Sequence, residues 1–223
     1  MKDISTILIL LIAYVALMSM TTFANKTKPG IILYNNLQQK NLGLLNYLHL
    51  ASVIIMLIPT ITVKQVPIFI LEFPDKINIP KTVAFLICFG ALGFFPWKKF
   101  SENKNNDTPQ SSAYQVLIYA SSRIAFLIAY ELFFRGFLLL SFCQWLGTGY
   151  GIIINVFLYT LIHTIKRSRQ ETIGCIPLGI LLCVFTIWFQ SIWPAVFLHV
   201  QIFFVAEWPQ LKQFLSPKKQ TAL

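Results

Sequence analysis

Long apolar runs separated by short polar stretches organise this chain. Seven of them approach the about 20 residues that a helix needs to cross the hydrocarbon core of a bilayer. They cover residues 4–23, 44–63, 81–97, 113–145, 149–165, 173–190 and 192–208. The fourth, with 33 residues, is too long for one straight span. It predicts an interfacial beginning, a kink or two short helices. The pattern therefore predicts an all-α fold, a polytopic transmembrane helix bundle of seven to eight spans.

The polar connections are 25–40, 64–81, 98–112, 166–171 and 209–223. Pro67, Pro74 and Pro80 mark the second as an irregular, half-buried loop. Gly147, Gly149 and Gly151 form GTGYG, which reads as the turn into the fifth run. The first run has the charge order of a retained helix rather than a signal peptide, because Lys26 and Lys28 follow it. Three parts result. Residues 1–112 hold N-terminal membrane helices and polar loops, 113–208 a helical core, and 209–223 a polar tail.

Composition sharpens this picture. Hydrophobic residues make up 56% of the 223, and charged residues only 12%, about half the share in a soluble domain. A disordered chain is excluded, and a soluble enzyme is not expected. The net charge of +10 raises the question of nucleic acid, but the basic residues lie between the apolar runs, where they set membrane topology. The expected partner is the lipid bilayer, with no nucleic acid. Twelve of the 18 Lys and Arg fall in the loops of one face and four in those of the other. By the positive-inside rule the C-terminus is cytoplasmic and the N-terminus outside. The four cysteines show no C-x-x-C spacing and read as small buried hydrophobes.

Ionisable groups inside membrane segments are costly, so each is a candidate for function. They are His49 in the second run, Arg123, Glu131 and Arg135 in the fourth, His163 in the fifth, and His199 with Glu207 in the seventh. Glu131 and Arg135 are four apart and share a helix face. Two readings of them stay open, a neutralising buried pair and part of a reactive site. Asn155, Tyr159 and His163 recur every four residues, so one polar stripe of the fifth helix faces the bundle. Two histidines on neighbouring helices with a Glu–Arg pair on a third can position a water and take its proton, or hold a metal. His49 has no comparable companions and reads as structural. Glu207 follows His199 and Phe203 on one face; it reads as an interfacial charge that ends the helix, or else as a relocated catalytic carboxylate. H-E-x-x-H, G-x-S-G, a Gly-Asp pair and a P-loop are all missing from the sequence.

Three stretches occur in a familiar series: YELFFRGFLLL at 130–140, FLYTLIH at 157–163 and SIWPAVFLH at 191–199. Together they resemble the three motifs of the CPBP family, the CAAX-protease and bacteriocin-processing (Abi) intramembrane proteins, also called type II CAAX prenyl endopeptidases. The family carries Glu-Glu-x-x-x-Arg, then an aromatic-x-x-x-His, then His-x-x-x-Asn or Asp. Glu131 and Arg135 match the second Glu and the Arg, and Gly136 the glycine after them. Tyr159 and His163 match the second motif, and His199 the His of the third. Two positions depart from it: Tyr130 stands where the family has its first Glu, and Phe203 where it has Asn or Asp.

The resemblance implies an intramembrane endopeptidase of a bacterial plasma membrane. A carboxylate and His163 would polarise a water that attacks a peptide carbonyl, His199 would stabilise the oxyanion, and Arg135 would orient Glu131. The substrate would be a membrane protein or peptide, prenylated CAAX proteins and leader peptides being equally open. Some descriptions of the family imply a zinc ion, for which Glu131, His163 and His199 would be the donors. The departures support an alternative: a non-catalytic member of the fold that binds a membrane peptide or confers bacteriocin self-immunity.

Overall fold

The computed structural model describes residues 4–26, 42–62, 68–74, 78–94, 112–165, 169–208, 211 and 215. Every regular element among them is helical. They are α1 (Ile4–Lys26), α2 (Leu42–Thr62), a short 3₁₀ turn (Ile68–Leu71), α3 (Ile79–Phe94), α4 (Ala113–Glu131), a π-helical segment (Leu132–Leu139), α5 (Leu140–Leu146), α6 (Thr148–Thr164), α7 (Arg169–Phe189) and α8 (Trp193–Ala206). These match the seven apolar runs one for one. Ile4–Phe23, Leu42–Ile61, Ala113–Leu146 and Thr172–Phe189 are long and apolar enough to cross a membrane; α3, α6 and α8 are shorter apolar helices. Most of the connections that carry the basic residues used for topology lie outside the described residues.

The fourth run does not break into two separate helices. It is one helical rod of 34 residues, about 51 Å long at the α-helical rise. Ser112 starts it with a capping box: its hydroxyl accepts from the Gln115 amide, and the Gln115 side chain accepts from the Ser112 amide. The rod widens into eight π-helical residues directly after Glu131. Such widened turns are rare and concentrate at functional sites. Asn155 of α6 donates to the Phe134 carbonyl at 2.6 Å, and the Cys183 thiol of α7 donates to Asn155 Oδ1 at 3.2 Å. The irregular segment is thus tied to two neighbouring helices.

The rod is the axis of the bundle. All eight π-segment side chains are buried, as are Val116, Tyr119, Arg123, Phe126, Leu127 and Tyr130 of α4. The outer helices turn large apolar side chains outward, among them Ile12, Val15, Ile54, Ile61, Leu86 and Phe94. Faces of this kind are stable against lipid, not water. The protein is an integral membrane protein.

Lipid gives helices no hydrophobic reason to associate, so close packing and polar contacts must do it. At Gly151 of α6, a Cβ would lie 2.7 Å from the Cys143 backbone nitrogen and 2.9 Å from its Cα. Only glycine permits that approach. Of the GTGYG stretch only Gly147 is turn, with φ of 87°; Gly149 and Gly151 are already helical. The proline-rich connection docks where its residues are described. Ile70 is buried; its carbonyl accepts from the Ile192 amide at 3.0 Å, and the Leu71 carbonyl from Trp193 Nε1 at 2.7 Å. This segment braces the turn that leads into α8.

Glu207 corrects one of its expected roles. It caps the C-terminal end of α8, as expected, and it is buried, at 4% exposure. Both its oxygens are committed to Arg123 and Tyr119 of α4. It is therefore not placed to act as a relocated catalytic carboxylate. The reason is tertiary: α8 lies antiparallel against α4, which carries the Arg123 cation to the end of α8. His49 also has companions. Its Nδ1 lies 3.2 Å from the Ser122 hydroxyl, which lies 2.9 Å from Asn46 Oδ1.

Candidate active site

The end of α4, the π segment, α6 and α8 bring Glu131, Arg135, His163 and His199 into one cluster. Glu131 is fully buried and stands between two partners. Its Oε2 is 3.3 Å from Nε of Arg135, one turn further along. Its Oε1 accepts from Nδ1 of His199. The neutralising pair expected from the sequence is present, and the same carboxylate also orients an imidazole.

The chain of contacts continues past His199. Its Nε2 faces the Tyr159 hydroxyl of α6 at 3.3 Å. A carboxylate can only accept, so His199 presents N–H at Nδ1 and its second nitrogen is left for chemistry at Nε2. One sequence of polar groups thus runs Arg135, Glu131, His199, Tyr159. Its logic is that of a carboxylate that fixes a histidine tautomer and ring orientation.

His163 is set by its own helix. Its Nδ1 lies 2.7 Å from the Tyr159 carbonyl, one turn earlier. A carbonyl accepts only, so Nδ1 carries the proton and a neutral His163 has its lone pair on Nε2. The ring packs on Tyr159, with centroids 4.4 Å apart. His163 is half-buried, whereas Glu131 and Arg135 are sealed.

Tyr130 sits among these groups. Its ring centroid is 6.1 Å from that of His163, 5.9 Å from that of His199 and 6.0 Å from that of Tyr159. Its hydroxyl is buried and has no hydrogen-bond partner among the described residues. One residue of α-helix turns a side chain by about 100°, which argues that Glu131 cannot replace the residue at 130. The structure narrows that argument. Tyr130 meets His199 with its ring, and Glu131 meets it with its carboxylate. Phe203 is buried and apolar, so α8 offers no polar group one turn beyond His199.

Arg135 is unusual in its own right. The guanidinium lies 4.5 Å over the Tyr159 ring and 5.8 Å from the Phe134 ring. It is fully buried, and Nη1 and Nη2 find no hydrogen-bond partner among the described residues. Glu131 and the aromatic faces are its compensation. The sequence placed the four motif residues on three helices, but it did not single out Tyr159 as the partner of His199. The polar stripe of α6 was the signal that pointed there.

A zinc ion does not fit this donor set. Zinc takes three or four protein donors, and no group of three or more His, Cys, Asp or Glu side chains gathers suitably among the described residues. The Glu131 oxygens face a guanidinium and the Nδ1–H of His199. The carboxylate acts here as a buttress to His199, not as a ligand beside it.

Residues 112–204 match the family model of the Type II CAAX prenyl endopeptidase Rce1-like proteins. No curated protein and no solved structure matches the chain.

Proposed function

Because the chain carries a type II CAAX prenyl endopeptidase Rce1-like domain over residues 112–204, we propose that it is an intramembrane endopeptidase that hydrolyses a peptide bond of a membrane-associated protein or peptide. The observation that carries this reading is Glu131, held by Arg135 on one oxygen and bound to His199 on the other.

The roles follow from the geometry. His163 takes a proton from the attacking water at Nε2, since its Nδ1–H is engaged by the Tyr159 carbonyl. The water oxygen bonds to the peptide carbon, and the carbonyl oxygen becomes an oxyanion. Hydrogen-bond donors fixed in a dry site stabilise such charge far better than water does. The Tyr130 hydroxyl is the donor available, because a neutral His199 has only a lone pair at Nε2, where it meets the Tyr159 hydroxyl. Glu131 keeps His199 oriented, and Arg135 keeps Glu131 ionised and in place. The imidazolium of His163 then protonates the leaving amine. Prenylated proteins and leader peptides both remain open as substrates. The bacterial plasma membrane with the C-terminus in the cytoplasm is the proposed setting.

Tyr130 favours a second reading, because a phenol replaces a carboxylate at the position aimed at both imidazoles. In that reading the domain binds a membrane peptide without cleaving it, for example as a bacteriocin self-immunity protein. A survey of membrane-protein N-termini separates the two. Cells with the wild-type chain are compared with cells that express His163→Ala at the same level. Termini that vanish in the variant establish the endopeptidase and identify its substrate; identical termini refute it.

A further inference from the structure

Two polar rungs join α8 to α4. Glu131 meets His199, and Arg123 meets Glu207. The rungs lie eight residues apart on both helices, about 12 Å of helical rise. The order is reversed between the helices, so the two rungs fix an antiparallel pair in one register. Between them the buried side chains are Phe126, Leu127, Ala129 and Tyr130 on α4 and Phe203 and Ala206 on α8, and Tyr130 carries the one polar group among these.

Apolar packing alone holds that register less strictly than a polar pair does. Lipid tails are as apolar as leucine, so a slide of α8 along α4 trades one apolar contact for another. A slide of one turn, about 5.4 Å, would bring Ala195 or Phe203 near Glu131 and carry His199 away.

Glu207 stands where its own helix disfavours it. It caps the C-terminal end of α8, the negative end of the helix dipole, and it is buried. Only another helix satisfies it. Arg123 donates from Nε at 3.1 Å and from Nη2 at 2.7 Å, and the Tyr119 hydroxyl donates at 3.0 Å. A residue that breaks a local preference without local compensation is there for a tertiary reason. The α4 side of the pair is itself braced, since Ser122 beside Arg123 contacts Asn46 and His49 of α2.

We propose that Arg123 and Glu207 are positioning residues, whose buried pair sets the register of α8 on α4 that brings His199 onto Glu131. The relevance to catalysis rests on the proposed endopeptidase; the register itself does not.

The test reads His199 directly. The chain has only three histidines, so ¹⁵N-histidine spectra of the full chain in lipid nanodiscs are assigned by single His→Gln replacements. Arg123→Met with Glu207→Leu removes both charges and strands neither. The expected result is a helical, folded protein whose His199 Nδ1 signal shifts to the one seen in Glu131→Met with Arg135→Met, which leaves His199 no acceptor at residue 131. A wild-type His199 signal in the folded double variant overturns the proposal. The reversed pair, Arg123→Glu with Glu207→Arg, is expected to restore the wild-type signal; if it folds without restoring it, the register claim fails. If neither pair folds, the clamp holds the fold rather than the register, and the proposal fails as well. Absence of cleavage by the wild type would sink the endopeptidase and leave this result standing.

Discussion

Glu131→Gln is the most informative perturbation of the cluster. The amide keeps the shape of the carboxylate and can still accept a hydrogen bond from His199, but it cannot neutralise Arg135. That guanidinium is fully buried, and its two terminal nitrogens have no hydrogen-bond partner among the described residues. Removal of one member of a buried ion pair costs about 3–5 kcal/mol, because the other charge is stranded. The single variant should therefore lose about that much stability. Glu131→Gln with Arg135→Met removes the stranded cation and fills its volume with an apolar chain, and it should return to within about 1 kcal/mol of the wild type. The two single variants and the double form a cycle whose coupling should reach at least about 5 kcal/mol, since each single strands a buried charge and the double strands none. Reversible unfolding by SDS titration in mixed micelles, followed by circular dichroism, gives all four values. The cleavage readout is separate: the double variant should regain stability and stay inactive, since His199 no longer has its carboxylate. A single variant as stable as the wild type would refute the reasoning, because Arg135 would then have acceptors other than Glu131.

Other outcomes follow from other parts of the fold. Gly151→Leu should abolish the stable bundle, because even a Cβ at this position would lie within 2.9 Å of three Cys143 atoms, two of them backbone; thermal denaturation of Gly151→Ala should show a smaller loss, of about 1–3 kcal/mol. Tyr130→Phe deletes a buried, unpartnered hydroxyl, so it should raise stability by about 1–3 kcal/mol and lower the rate of substrate cleavage by about 10- to 100-fold if the phenol serves the oxyanion. Tyr130→Glu restores a carboxylate beside both imidazoles and should raise that rate. Elemental analysis of the purified chain should find far less than one zinc per chain, since Glu131 is committed to Arg135 and His199.

The sequence by itself determined the elements and most of the candidate chemistry. Apolar run length is dictated by bilayer thickness, which is why seven helices could be read at nearly their observed bounds. The cost of an intramembrane charge confined the search to a few residues, and four of them meet in one cluster. Pairings between helices were decided only by the tertiary structure. Glu131 binds Arg135, as the four-residue spacing allows, but its bond to His199 joins residues 68 apart, and no periodicity encodes it. Glu207 looked like a helix-ending charge because its local surroundings are those of a helix end; burial and Arg123, 84 residues earlier, gave it another part. The π segment has no sequence signature either. It arises where the rod must satisfy Asn155 and face α6 and α8 at once. Local sequence sets which residues are helical and apolar. Which polar group meets which depends on how the helices cross, and that is a property of the packed bundle.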